Sequence, residues 1–252
     1  MENLYRIDLE GDELHAKLGG GLPRNSVILV EAKAGIGKSV LSQRFTYGAL
    51  KNEATVSYVS SELSVQGFFN QMDSFRYDVR ADFFSKKLKF VTTFPLLGTV
   101  KFKPNLIEEV FKSKEILDSD IIVIDALNDL LIKNDTRLEE AFEFITQTKK
   151  LSSIGKTIIL TVEPELVSKQ VLTLLQNLAD VHIFMEEIEQ YGNKLNILHV
   201  KRFTGAGGDI EKELPFKVRA GIGIVVELAS WWKNGRRNKK RNNNSYYKFR
   251  RS

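Results

Sequence analysis

The sequence contains no cysteine, which excludes disulfide bonds and metal sites built on thiolates. A chain without thiols fits a reducing cytoplasm, and we expect that location. No run approaches the roughly 20 apolar residues that a membrane-spanning helix needs, and residues 1–18 lack the apolar core of a secretory signal. The three histidines, His15, His182 and His199, do not have the spacing of a metal-ligand set.

Acidic residues are absent from Lys233 to Ser252, where nine of the 37 basic residues lie. Without these nine basic residues the chain has 28 basic against 32 acidic residues, so its net charge of +5 becomes −4. Because neutralising phosphates supplies much of the affinity for nucleic acid, an acidic body disfavours that partner. Residues 231–252 are predicted to form a basic, disordered tail, and their composition also fits a cloning or read-through artefact.

Strands and helices alternate along most of the chain, which predicts one α/β domain over residues 1–230, with a parallel sheet flanked by helices. After residue 180 only strands follow, which predicts an antiparallel C-terminal edge. The predicted strands are 26–31, 54–60, 88–93, 120–126, 156–162, 181–188, 194–203, 215–219 and 222–228, with a hairpin turn at 191–193. The predicted helices are 38–51, 64–75, 104–117, 136–151 and 166–178.

The strongest functional signal is the segment from Ala32 to Ser39, which joins a predicted strand to a predicted helix. It matches the phosphate-loop pattern G-x-x-x-x-G-K-[ST], except that Ala32 stands at the first glycine. Gly35 and Gly37 let backbone amides curl into an anion-binding nest. We expect Lys38 to contact the β- and γ-phosphates of ATP, and Ser39 to bind Mg²⁺. The residues of this segment predicted to contact nucleotide are Lys33, Ala34, Gly35, Ile36, Gly37, Lys38, Ser39 and Val40.

A second signal is the run from Ile121 to Asp125, in which four apolar residues precede an aspartate. Functional groups of parallel sheets collect at the carboxyl ends of the strands. Asp125 is therefore predicted to hold Mg²⁺ through water, opposite Ser39. The alternative is an aspartate that caps the next helix or turn.

Polar residues also end two other strands. Glu62 is a candidate to orient an attacking water. The alternative is an acid at the N-terminus of the next helix, favoured by the helix dipole, with Ser60 or Ser61 as the N-cap of that helix. Thr161 and Glu163 are candidates to sense the γ-phosphate, or else they belong to a turn forced by Pro164.

Lys201 and Arg202 lie in the late strand pair and precede a Gly205–Gly208 turn. A cation at this position is a candidate to reach the phosphate site of a neighbouring subunit, as an arginine finger does. The alternative is an exposed charge that protects a strand from pairing with another chain.

Together these features resemble the KaiC-like branch of the RecA superfamily, over roughly residues 5–229. The resemblance implies a RecA-like P-loop NTPase core. It is carried by Gly19–Arg24 (GGGLPR), Ala32–Ser39, Tyr58–Glu62 (YVSSE), Leu198–Arg202 (LHVKR), Pro215–Val218 and Gly221–Gly223.

Within that branch the chain is similar to the single-domain, ATP-binding accessory proteins of the archaellum, the archaeal flagellum. This likeness rests on residues 11–77, including Glu31–Ala34 (EAKA). It implies a homo-oligomeric ring, often hexameric, with nucleotide near the subunit boundaries. It also implies two partners, the archaellum motor ATPase and a membrane-anchored scaffold protein, at the cytoplasmic face of the membrane.

One departure from the family bears on activity. KaiC-like enzymes usually carry two adjacent acids after the second strand, whereas here Glu62 is followed by Leu63. In hydrolytic members of the family the paired acid helps to activate water, and general-base catalysis contributes about 10²- to 10⁴-fold. We therefore expect little or slow hydrolysis. The chain would then be an ATP-binding regulatory component whose nucleotide state controls assembly with the motor ATPase. One alternative is an active RecA-like ATPase acting on DNA, which the acidic body disfavours. Another is a clock-like autokinase, which the single core domain disfavours.

Overall fold

The computed structural model describes residues 3–92, 110–127, 138–190 and 192–227. The predicted tail 231–252, residues 104–109 of a predicted helix and Tyr191 of the predicted hairpin turn lie outside these ranges. The described strands are β1 (Leu4–Tyr5), β2 (Leu22–Pro23), β3 (Val27–Ala32), β4 (Val56–Ser60), β5 (Leu88–Thr92), β6 (Ile121–Asp125), β7 (Thr157–Val162), β8 (Val181–Gln190), β9 (Asn193–Phe203), β10 (Glu213–Arg219) and β11 (Gly223–Val226). The described helices are α1 (Leu14–Lys17), α2 (Lys38–Lys51), α3 (Val65–Ser74), α4 (Arg80–Phe84), α5 (Lys114–Leu117), α6 (Leu138–Ser153) and α7 (Lys169–Leu178), with a 3₁₀ turn at Pro164–Leu166.

Nine of these strands form one sheet in the order β11-β10-β9-β8-β3-β7-β6-β4-β5. The strands from β8 to β5 in this order are parallel. Strands β8, β9, β10 and β11 pair antiparallel and form one edge. This mixed sheet confirms the parallel α/β core with an antiparallel edge that the alternation of strands and helices predicts, and it agrees with the RecA-like core that the resemblance implies. Because β3, β4, β6 and β7 are parallel, their carboxyl ends meet at one side of the sheet.

The central strands are buried on both faces, since every residue of β3, β4, β6 and β7 is buried. One face packs against α2 and α3 through residues such as Leu41, Phe45 and Phe68. The other face packs against α6 and α7 through residues such as Phe144 and Leu175. Coverage of both faces explains why these strands read as continuous apolar runs rather than as alternating ones.

The lead-in before β3 has more structure than the sequence predicts. Strands β1 and β2 pair antiparallel, and the predicted glycine turn lies just before β2. Gly21 has a φ of +140°, and a Cβ there would lie 2.3 Å from the carbonyl oxygen of Tyr5. The fully buried Arg44 of α2 fixes this segment: it donates to the Asp12 carboxylate (2.5 Å) and to the carbonyl of Ile7 (2.9 Å).

Two other sequence expectations differ from the structure. The predicted helix 104–117 is not continuous in its described part, because Ser113 breaks it and caps α5 by accepting from the amide of Ile116. Helix α4 was not predicted, since its five residues are too few to show a helical period. Within the described ranges, none of the helices combines the length and apolarity needed to cross a bilayer.

Candidate nucleotide-binding site

The predicted phosphate loop connects β3 to α2 at the carboxyl side of the sheet. Gly35 and Gly37 have φ values of +80° and +115°, which side chains with a Cβ rarely adopt. Gly37 is also the N-cap of α2, which starts at Lys38. The curled backbone therefore lies in front of a helix amino terminus, where unpaired amides and the helix dipole favour an anion. This geometry fits the phosphates of a nucleotide.

Lys38 lies between two carboxylates. Its side chain is only 7% exposed, and its Nζ is 3.8 Å from Glu62 Oε1 and 4.0 Å from Glu163 Oε2. Glu62 follows β4 and Glu163 follows β7, so strands on both sides of β6 contribute an acid. The sequence predicts Glu62 and Glu163 as candidates near the phosphates, and the structure brings both carboxylates to the same lysine.

Asp125 ends β6 and is 1% exposed. Its Oδ1 accepts hydrogen bonds from Thr161 Oγ1 (2.6 Å) and Ser39 Oγ (3.1 Å), and its Oδ2 accepts one from the Tyr58 hydroxyl (2.7 Å). A carboxylate beside a serine hydroxyl is the oxygen donor set that suits Mg²⁺. Ser39 and Asp125 are therefore the residues that would hold this ion.

Tyr58 is a site residue whose role the sequence did not reveal. Its side chain is fully buried in β4. Burial raises the pKa of the Tyr58 phenol well above its usual range, and the nearby Asp125 carboxylate raises it further. The phenol thus stays protonated and donates to Asp125. Strand alternation places Tyr58 on the same face as Ser60, but nothing in the sequence marks that face as the one that meets Asp125.

Glu62 lies in the turn before α3 and not in the helix itself. Ser64 is the N-cap of α3, with its Oγ accepting from the amide of Gly67. Ser60 Oγ instead accepts from the amides of Glu62 and Leu63. The helix-acid alternative, with Ser60 or Ser61 as cap, was therefore wrong, and the Glu62 side chain, 40% exposed, is near Lys38.

Thr161 also contacts the site directly, because its buried hydroxyl donates to Asp125. Other loop residues have different surroundings. Lys33 is exposed and pairs with Glu165 in the 3₁₀ turn (2.6 Å), which raises the pKa of its ammonium. The Val40 side chain packs into the core.

Lys201 and Arg202 are not near the phosphate loop of their own chain. Arg202 pairs with His182 near the start of β8, and Lys201 lies at the bulge beside this pair. His182 in turn pairs with Leu29 in the middle of β3, whereas the loop follows the end of β3 at Ala32. Arg202 donates to the carbonyls of Gln176 (2.9 Å) and Ala179 (2.7 Å) at the C-terminal end of α7. Lys201 is exposed, with its Nζ 5.6 Å from the ring centroid of Phe184.

Comparison with known proteins gives one family. Residues 11–228 match the model of the KaiC ATPase family. The archaeal flagellar ATP-binding protein FlaH of Methanocaldococcus jannaschii is 34% identical over 227 residues, covering 90% of this chain and 97% of that protein. FlaH of Methanococcus voltae is 32% identical, covering 89% and 97%. The crystal structure of flagellar accessory protein FlaH from M. jannaschii aligns with a TM-score of 0.83, covering 90% of this chain and all of that one. The chain therefore belongs to the KaiC ATPase family and, within it, to the archaeal flagellar FlaH proteins.

Proposed function

We propose that this chain is the ATP- and Mg²⁺-binding regulatory component of the archaellum motor complex, and that its nucleotide state controls its association with the motor ATPase. The observation that carries the ATP site is the convergence of Lys38, Ser39 and Asp125 at the carboxyl ends of β3 and β6. Two relatives that match about nine-tenths of this chain are named archaeal flagellar ATP-binding proteins, which supports both the ligand and the setting.

We infer slow hydrolysis from the acids that follow β4. Glu62 is one such acid, and the next residue, Leu63, is an apolar residue partly buried against the core. In a hydrolytic member a second acid would help to activate the attacking water, and general-base assistance contributes about 10²- to 10⁴-fold. We therefore propose that the protein remains in its ATP-bound state for long periods and signals through that state.

A ring, with a hexamer as the expected size, is the assembly in which the basic residues of β9 can act. Lys201 and Arg202 lie on β9, two strands away from β3 and the loop that follows it, and in the described part of the chain neither of them contacts that loop. We therefore propose that a neighbouring copy presents them to its phosphate loop. Of the two, Lys201 is the better candidate, because Arg202 already binds the end of α7.

We further propose a cytoplasmic location at the membrane-bound motor, with attachment to the membrane only through a membrane-anchored scaffold protein. The nucleotide-binding domain would span residues 1–230, and the basic segment 231–252 would lie outside it. Since the chain without that segment has more acidic than basic residues, nucleic acid is not the partner we propose.

The test measures ATP binding and ATP turnover on one preparation of the full chain, with Lys38→Ala as the control. Calorimetric titration with ATP is performed with Mg²⁺ and with EDTA, and phosphate release is followed at saturating ATP. We expect tight, Mg²⁺-dependent binding with slow turnover, both lost in Lys38→Ala. Rapid turnover that depends on Glu62 would contradict the regulatory role and favour an active ATPase.

The gating part of the proposal needs the partner. Pull-down of the purified motor ATPase is compared in the presence of ATP, ADP and no nucleotide, at equal protein concentrations. We expect capture to depend on nucleotide state for the wild type and to be insensitive to it for Lys38→Ala. Equal capture in all three states would show that nucleotide does not control this association.

A further inference from the structure

Two acids follow β7 on either side of Pro164, and each faces a lysine of the phosphate loop. Glu163 Oε2 is 4.0 Å from Lys38 Nζ, and Glu165 Oε1 is 2.6 Å from Lys33 Nζ. The 3₁₀ turn and the residue before it, Glu163, therefore hold the loop by charge at two points. The sequence separates the two lysines from the two acids by more than 120 residues, so the fold alone creates these pairs.

The two pairs differ in their contact with water. The side chains of Glu163 and Lys38 are 15% and 7% exposed, whereas those of Glu165 and Lys33 are 59% and 69% exposed. Water screens the outer pair, although its charges are closer, while the inner pair interacts through protein of lower polarity. The charge of Glu163 should therefore affect the phosphate loop more strongly than the charge of Glu165 does.

Lys38 is also the residue that a triphosphate must engage. A P-loop lysine places its ammonium at the β- and γ-phosphates, and here that ammonium is already between Glu62 and Glu163. A bound triphosphate and the Glu163 carboxylate would then compete for the same cation, and the two anions would also repel one another. Binding must draw Lys38 away from at least one carboxylate.

We propose that Glu163 is a positioning residue that holds Lys38 in place without nucleotide and yields it to the γ-phosphate. Glu163 thereby lowers the affinity for ATP, and it makes the turn that follows β7 sensitive to what the loop contains. The proposal rests on the ATP site proposed above. Glu62 differs in role, because its more exposed side chain lies across the lysine on the β4 side.

The test compares Glu163→Gln with Glu165→Gln, which makes the same chemical change two residues away on the exposed pair. Calorimetry gives the dissociation constants for MgATP and MgADP. We expect Glu163→Gln to bind MgATP about fivefold more tightly than wild type, an effect of the size of one partly buried ion pair. The gain for MgADP should be smaller, because ADP lacks the γ-phosphate. Glu165→Gln should change neither constant by more than about twofold.

A second measurement separates this role from simple packing. Thermal unfolding without nucleotide is recorded for wild type, Glu163→Gln, Lys38→Ala and the double variant. If Glu163 acts through Lys38, Glu163→Gln lowers the melting temperature in the wild-type background and does not lower it once Lys38 is absent. An equal decrease in both backgrounds would assign Glu163 a packing role and overturn the proposal.

The outcomes also separate this inference from the ATP site itself. If wild type binds MgATP and Glu163→Gln binds it equally or less tightly, the positioning role is overturned and the ATP site stands. If neither wild type nor Glu163→Gln binds MgATP, the proposed function fails as well. If Glu163→Gln does not fold, the thermal comparison of Lys38→Ala with the double variant still decides whether Glu163 acts through Lys38.

Discussion

Thr161→Val removes one hydroxyl from the Asp125 carboxylate and leaves the shape of the side chain almost unchanged. Thr161 is the second-last residue of β7, is fully buried, and donates to Asp125 Oδ1 over 2.6 Å. Hydrogen bonds to charged groups contribute about 1.5–3 kcal/mol, so we expect the free energy of unfolding to fall by about 2 kcal/mol. For a domain of this size such a loss lowers the melting temperature by about 4–8 °C.

The change should also weaken nucleotide binding, because Asp125 is the residue that would hold Mg²⁺ through water. Loss of a residue that orients a metal ligand typically costs about 10- to 100-fold in metal affinity, so we expect MgATP to bind at least about tenfold more weakly to Thr161→Val. Urea unfolding followed by circular dichroism, without nucleotide, gives the stability. Calorimetry with MgATP gives the affinity.

Thr161→Ser is the matched control, since it keeps the hydroxyl and removes one methyl group. That loss should cost about 1 kcal/mol of stability and change MgATP affinity by no more than about threefold. If Thr161→Val unfolds within about 0.5 kcal/mol of wild type, or if the serine variant loses as much MgATP affinity, the hydroxyl does not orient Asp125 and the reasoning is refuted.

Three further predictions follow from other parts of the fold. Gly37→Ala should destabilise the protein by about 1–3 kcal/mol and abolish MgATP binding, because its φ of +115° is strained for alanine; urea unfolding and calorimetry measure both effects. Burial raises the pKa of Tyr77 to about 12 from 10.0, so the neutral phenol stabilises the fold below pH 10, and this contribution is lost as the pH rises towards 12. Tyr77→Phe should therefore lose less stability than wild type between pH 10 and 12, as measured by urea unfolding. Arg202→Met should lower the melting temperature by uncapping α7, whereas Lys201→Met should leave it within about 2 °C of wild type, as surface changes usually do; an equal decrease in both would show that the contacts of Arg202 with α7 do not stabilise the fold.

Local patterns predicted the elements of this protein well because its parallel strands are buried on both faces. Each central strand shows as a short apolar run bounded by turn residues, and the helix after the loop matches its predicted bounds, 38–51. Short elements were missed because they leave no pattern in the sequence. Strands β1 and β2 have two residues each, which is too few to show any period.

The phosphate loop and the aspartate at the end of β6 were also available from the sequence, because each depends on residues that are neighbours in the chain. The motif fixes the glycines, Lys38 and Ser39 within eight positions, and a strand that ends in Asp125 places that carboxylate at the functional side of a parallel sheet. These local patterns were sufficient to predict that the ligand is a nucleotide.

Only the tertiary structure decided which groups surround these residues. Strand order brings Tyr58, Thr161 and Ser39 to Asp125, and it brings Glu163 to Lys38. A sequence shows at which end of a strand a side chain lies, but it does not show which strands are neighbours. That choice depends on how the whole sheet buries its apolar faces, so contacts between distant residues, and the electrostatic surroundings of Lys38 with them, exist only in the folded chain.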